Sequence, residues 1–136
     1  MLAPPRPRAS LGVVAAPAAI PEAVQAALVI LLDGTVALYD GAPPRAAFPY
    51  VVIGDSPVTD WSTKTERGRE IRLVLNIWDD GEEAESLRGL MIAVEAAMDG
   101  FPRDLPGWRV ASLVFLRSRV NRDPAGPSAA LIEYRI

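Results

Sequence analysis

Glu70-Ile71-Arg72-Leu73-Val74-Leu75-Asn76-Ile77-Trp78 is the segment whose secondary structure is clearest from the sequence. Successive side chains of a β-strand point to opposite faces, so a period of two divides this segment into two sets. The odd-numbered set is entirely aliphatic: Ile71, Leu73, Leu75 and Ile77. The pattern predicts a strand that turns one apolar face into the core of the domain.

The residues after this strand predict an amphipathic helix. Its apolar positions recur at the spacing of a helix packed on a sheet: Leu87, Leu90, Met91, Val94 and Met98. Gly100 ends the helix and Pro102 prevents its continuation. The acidic run at its start is Asp79, Asp80, Glu82, Glu83 and Glu85. Carboxylates suit hard divalent cations, but the spacing does not match a calcium loop. We interpret Asp80 as an N-cap, with the glutamates facing the positive end of the helix dipole.

The remaining predicted elements give the fold class. They are a helix over Pro21–Asp33 and strands over Tyr50–Gly54, Trp108–Val120 and Ala129–Ile136. The order is α-β-β-α-β-β. It predicts an α+β domain over residues 20–136, with a mostly antiparallel four-stranded sheet and two helices packed on one face. Residues 1–19 contain four prolines and are predicted to form an arm outside this domain; a secretory signal is the alternative.

The first helix is apolar around more than half of its circumference. Val24, Leu28 and Leu31 form one stripe, and Val29 and Ile30 widen it beyond what one core needs. A helix of this kind requires burial on more than one side. We therefore treat Val29 and Ile30 as candidate contacts with another subunit.

A polar segment between two strands carries an aromatic residue. Trp61 and three threonines, Thr59, Thr63 and Thr65, alternate with Asp60, Ser62, Lys64 and Glu66. This alternation predicts a long β-hairpin arm. Trp61, Thr63 and Lys64 are candidate interface residues because exposed aromatics often anchor interfaces. The alternative interpretation is a tryptophan buried under a loop.

Arginines cluster near the end of the predicted strand Trp108–Val120. Arg117 and Arg119 are two residues apart and share a face, and Arg122 follows them. Three interpretations are open: a phosphate or DNA contact, a salt bridge between subunits to an acidic residue such as Glu133, or a solvated face.

The composition of the chain excludes several classes of function. There is no cysteine and no histidine, so thiol catalysis, cysteine-bound metal and histidine-containing triads are impossible. The 136 residues carry a formal net charge of −3, which argues against a basic nucleic-acid-binding domain. No apolar run reaches the roughly 20 residues of a membrane span. No catalytic signature, cofactor fingerprint or metal site is recognised, so we expect neither an enzyme nor a cofactor.

Several segments resemble the tail-completion, or tail-terminator, proteins of long-tailed phages. Related copies of these proteins occur in prophages and in phage-like gene transfer agents. The segments are Tyr39–Pro44, Phe48–Gly54, Asp60–Thr65, Gly68–Glu70, Leu75–Trp78 and Val94–Ala97. The resemblance covers roughly residues 20–136 and involves structural motifs rather than catalytic ones.

The resemblance implies a structural virion protein. Such proteins form a ring, usually a hexamer, that caps the tail tube, stops its polymerisation and joins the tail to the neck. The implied partners are further copies of the chain, the tail tube protein and a head-completion or stopper protein. DNA passes through the lumen only transiently, and no membrane is involved. The expected location is the neck of a virion or phage-like particle assembled in the bacterial cytoplasm. The alternative is a neighbouring stopper or adaptor protein of the neck.

Overall fold

The computed structural model describes residues 2–3, 20–41, 47–80, 84–122 and 126–136. Within them lie helices α1 (Ile20–Leu31) and α2 (Ala84–Met98). The strands are β1 (Leu2–Ala3), β2 (Ala37–Asp40), β3 (Tyr50–Ile53), β4 (Val58–Asp60), β5 (Arg69–Asp79), β6 (Asp104–Leu105), β7 (Trp108–Val110), β8 (Val114–Asn121) and β9 (Ser128–Arg135). The α+β class, the two helices and the mostly antiparallel pairing are confirmed.

Strand β5 organises the sheet because it is long enough to pair with two strands along each edge. One edge pairs with β3 and then β4, and the other pairs with β9 and then β1. β8 lies outside β9, β7 lies outside β1, and β6 lies outside β7. β2 lies outside β3 and is parallel to it. The nine described strands therefore occupy six positions in one sheet, and the predicted count of four is too low.

The core lies on the helix-covered face of the sheet. The odd-numbered aliphatic residues of β5, from Ile71 to Ile77, are buried as the period of two predicted. They form one hydrophobic cluster with Val24 and Leu28 of α1 and with Val94 and Met98 of α2. Burial of a large aliphatic side chain stabilises the fold by about 1.5–3 kcal/mol, so this cluster is a main source of stability.

Several parts of the observed fold differ from the prediction. β2 was missed because it has only four residues and ends in a turn at Gly41, whose φ is +76°. The predicted strand Trp108–Val120 is divided into β7 and β8, which pair with different partners. α2 is described from Ala84, and residues 81–83 before it lie outside the described residues, so the N-cap interpretation of Asp80 stays a prediction. Glu82 and Glu83 lie outside the described residues.

The first residues of the chain belong to the sheet. Leu2 pairs with Arg69 of β5 and Val110 of β7, and its side chain is fully buried in the core cluster. The prediction that residues 1–19 form an arm outside the domain is therefore wrong for Leu2 and Ala3. The arginine-proline pattern around them contains no period that could reveal a two-residue strand. Residues 4–19 lie outside the described residues.

We expect Leu2→Ala to lower the free energy of unfolding by about 2–4 kcal/mol, because it leaves a cavity in the core. The control is Ile92→Ala on α2, which removes a side chain that is 67% exposed and is expected to change stability by about 0.5 kcal/mol or less. Urea unfolding followed by circular dichroism measures both. Equal stability of Leu2→Ala and the wild type would show that β1 does not contribute to the fold.

Tyr134 of β9 is buried on the helix-covered face. Its ring meets the ring of Phe115 edge-on, with the two ring centroids 5.8 Å apart. Burial, together with the charges of Glu95 and Asp99, raises the pKa of Tyr134 to about 12. An unfolded tyrosine titrates near pH 10. The neutral phenol therefore contributes its full stabilisation below about pH 10, and this contribution is lost as the pH rises towards 12.

We expect the free energy of unfolding to fall by about 1 kcal/mol between pH 9 and 11 through this group. In Tyr134→Phe, which has no phenol at this position, the fall should be smaller by that amount. Urea unfolding of both proteins at pH 8 to 11 makes the comparison. Parallel pH profiles for the two proteins would contradict the assignment.

Candidate interaction surfaces

The predicted arm around Trp61 is a β-hairpin that continues β4 and β5. Beyond the last strand pair, the Trp61 amide donates to the Gly68 carbonyl at 2.9 Å, and the Thr63 amide donates to the Glu66 carbonyl at 2.8 Å. The residues at the tip are therefore 63–66. All residues from Val58 to Arg67 are exposed, which indicates that the hairpin projects beyond the core.

Polar contacts of Asp60 and Ser62 stiffen the base of this hairpin. The Asp60 carboxylate accepts hydrogen bonds from the Ser62 hydroxyl at 2.6 Å and from the Arg69 guanidinium at 2.9 Å. The Ser62 hydroxyl in turn accepts from the Gly68 amide at 3.1 Å. The hydrogen bond from Ser62, aided by the charge of Arg69, lowers the pKa of Asp60 below its ordinary value of 3.8. The Asp60 carboxylate therefore keeps its charge and its hydrogen bonds at neutral pH.

Trp61 is neither a core residue nor a free side chain. Its ring lies against Gly68, where an added Cβ would come within 3.0 Å of the ring and 2.7 Å of the Trp61 carbonyl oxygen. Trp61 as a whole remains 44% exposed. Strand alternation places it on the face of the sheet opposite the helices. Thr63 and Lys64 lie at the exposed tip, where the Thr63 hydroxyl accepts from the Glu66 amide at 3.1 Å.

The two candidates on α1 are exposed, as expected for a helix that is apolar on more than one side. Val29 is 50% exposed and Ile30 is 78% exposed. Val29 also lines a shallow groove with Asp33 and the start of β2. Ile30 is not among the residues that line this groove.

The two arginines on β8 share a face but differ in their contacts. Arg117 pairs with Glu133 at 2.7 Å, so the salt bridge to Glu133 exists within one chain. Arg119 is exposed and forms no ion pair with any described residue. Both lie on the face opposite the helices, since they stand across from Glu133 and Leu131 of β9. Trp61 lies at the hairpin and Val29 lies on the helix side, both distant from these two arginines. The candidates therefore form separate surfaces rather than one site.

Two apolar residues on β8 are exposed although the sequence pattern does not predict their exposure. Phe115 is 48% exposed and Val120 is 40% exposed, and both stand across from helix-side residues of β9. A bulge between Phe115 and Arg117 changes the alternation, so neither face of β8 has a continuous pattern in the sequence.

No metal-ligand cluster of three or more acidic, histidine or cysteine side chains occurs among the residues that the structure describes. In the same part of the chain, neither helix is long and apolar enough to cross a bilayer. The exposed side chains of the described surface include aromatic, aliphatic and charged residues, which are the elements of protein–protein contacts.

Comparison with known proteins identifies the class. One chain of a solved structure titled "Virion of native gene transfer agent (GTA) particle" is similar to this protein, with a TM-score of 0.62 and 27% identity over 86% of this chain and 92% of that chain. This similarity and the fold indicate a structural component of a phage-like particle. The family model of tail completion protein gp17 matches residues 19–136, so the chain belongs to that family. A search among curated proteins finds no match.

We expect Trp61→Ala to leave the melting temperature nearly unchanged, because the ring lies outside the core, and to weaken assembly by about 2 kcal/mol or more if the ring anchors an interface. Thermal unfolding and the length distribution of assembled tails are measured together. A large fall in melting temperature would make Trp61 a structural residue, and wild-type values in both measurements would make the hairpin passive.

Gly68→Ala is the companion variant, because a methyl group there displaces the Trp61 ring without removing it. We expect a loss of about 1–3 kcal/mol of stability from the forced shift. Its assembly defect should resemble that of Trp61→Ala.

Proposed function

We propose that this protein forms a ring that caps the tail tube, stops its polymerisation and joins the tail to the neck of the particle. The observation that carries the proposal is the match to the tail completion family over nearly the whole described domain. The similarity to a chain of a gene transfer agent virion supports the same role. The hexameric subunit number is taken from the family resemblance.

Ring formation requires surfaces that one copy leaves uncovered. Ile30, Val29, Phe115 and Trp61 are each close to half exposed or more, on different sides of the molecule. Large apolar side chains in such positions are typical of contacts with other subunits or partners. The partners in this proposal are further copies of the chain, the tail tube protein and a head-completion or stopper protein of the neck.

The proposed role is structural and non-enzymatic, and needs no cofactor. A chain without histidine or cysteine lacks the commonest general base and the thiol nucleophile. The net charge of −3 suits a lumen through which DNA passes without being held. Assembly would take place in the bacterial cytoplasm, before the tail joins the filled head.

A stopper or adaptor of the neck is the alternative function. The similar solved chain comes from a whole gene transfer agent particle, which fits either role. Both roles need a ring and exposed contact surfaces, so particle morphology is needed to separate them.

Deletion of the gene in a particle-producing host distinguishes the two roles. Loss of a tail terminator is expected to give tails of uncontrolled length and heads without tails. Loss of a neck stopper is expected to give tails of normal length that fail to join heads. Electron microscopy of negatively stained particles measures both, and complementation with the wild-type gene is the control. Normal particles in the deletion strain would contradict both roles.

A further inference from the structure

Two edge strands of the sheet are unpaired on their outer sides, and both lie beside the same part of β5, which we call the same level. β2 pairs only with β3, and β8 pairs only with β9, within the part of the chain that the structure describes. Between them lie β3, β5 and β9, so β2 and β8 are the opposite edges of one five-stranded section. An open edge presents unsatisfied backbone amides and carbonyls and is a template for pairing with another chain.

The β2 edge combines an apolar groove with negative charge. Val29 of α1 lines this groove with Val36 and Leu38, and Asp33 lies in it as well. Asp33 and Asp40 are exposed and form no ion pair with any residue in the described ranges. The helix-covered side of this edge is therefore apolar and acidic.

The β8 edge combines apolar residues with positive charge. Val120 lines a second groove with Leu87, Arg88 and Arg122. Arg88 and Arg122 are exposed, and neither forms an ion pair within the described part of the molecule. Val120 stands across from Ala130 of β9, a buried residue, so it too lies on the helix-covered side. The two edges thus match in polarity: each has an apolar centre, and their charges are opposite.

We propose that β8 of one copy pairs with β2 of the next copy, so that the sheet continues from subunit to subunit. The inference rests on the proposed ring and names the surfaces that close it. β8 runs parallel to β5, whereas β2 runs antiparallel to it, because β3 is antiparallel to β5 and β2 is parallel to β3. Continuation of the sheet by a rotation about an axis along the strands therefore makes an antiparallel pair, the commoner kind.

The levels of the two strands support this pairing. Leu38 and Val120 both lie at the level of Ile77 of β5, through their partners Val51 and Ala130. Both belong to the helix-covered side, so they would meet as an apolar pair. On the opposite face, Tyr39 and Arg119 share the level of Asn76, where the guanidinium can cover the tyrosine ring.

The pairing is between two different surfaces, so it propagates from copy to copy. Such a heterologous contact forms a closed ring when the rotation closes, whereas a contact between two identical surfaces stops at a dimer. Val29 and Val120 lie at opposite ends of the sheet section and cannot meet within one chain. This separation allows one edge to be blocked while the other stays intact.

The test uses two variants that each block one edge. Val29→Lys places a positive charge opposite Arg88 and Arg122, and Val120→Asp places a negative charge opposite Asp33. Each should weaken self-association by about 100-fold or more, because a charge is buried against a like charge. Val58→Lys and Val58→Asp are the matched controls, since Val58 is an exposed valine of β4 that lines neither groove, and should assemble like the wild type. Sedimentation velocity and capping of purified tail tubes are the measurements.

Mixing the two blocked variants tests the direction of the contact. The Val29→Lys copy retains an intact β8 edge and the Val120→Asp copy retains an intact β2 edge, so complexes of 1:1 composition should appear in native mass spectrometry. Wild-type assembly by either single variant, or the absence of 1:1 complexes, would overturn the pairing while leaving the ring intact. A wild-type protein that neither self-associates nor caps tubes would overturn the proposed function itself.

Cysteine cross-linking tests the register. The chain has no cysteine, and Ala37 and Asn121 are exposed residues at one level of the sheet. Four strand spacings separate them within one chain, about 19 Å, too far for a disulfide. Mild oxidation of the double variant Ala37→Cys/Asn121→Cys should therefore give a ladder of covalent oligomers, whereas each single variant should not. Absence of the ladder in a double variant that still assembles would exclude this register.

Discussion

The pairing of β5 along both of its edges is the constraint on which the rest of the molecule depends. Its eleven residues accept β3 and β4 on one edge and β9 and β1 on the other. The same strand turns an unbroken aliphatic face towards both helices. A one-residue shift of β5 would move Arg72 and Asn76 into the core, so packing and pairing enforce one register.

The candidate surfaces follow from where this pairing stops. The hairpin projects because β5 is paired with β4 only as far as Arg69, after which the chain continues as a two-stranded ribbon to the tip. β2 and β8 remain at the edges because the sheet has no further strand within the described chain to cover them. Such places suit contacts in a structural component of a particle, since an exposed edge or ribbon can be completed by a neighbouring molecule.

Part of the candidate site was readable from residue types alone. The excess of apolar residues on α1 predicted exposed Val29 and Ile30, and the alternation around Trp61 predicted a ribbon. Phe115 and Val120 could not be found in this way, because the bulge in β8 breaks the period and exposure there depends on what β9 leaves uncovered. The intrachain partner of Arg117 was likewise undecided, since Glu133 is 16 residues away and only strand pairing brings the two together.

The sequence by itself determined the α+β class, the buried face of β5, the course of α2 and the absence of histidine and cysteine chemistry. These features depend on local periodicity and on composition, which require no knowledge of distant residues. Only the tertiary structure decided that Leu2 belongs to the core, that β2 joins β3 in parallel, and that the predicted strand Trp108–Val120 divides between two partners. Each of these depends on non-local hydrogen bonds between short segments, whose own sequences contain too few residues to show a period.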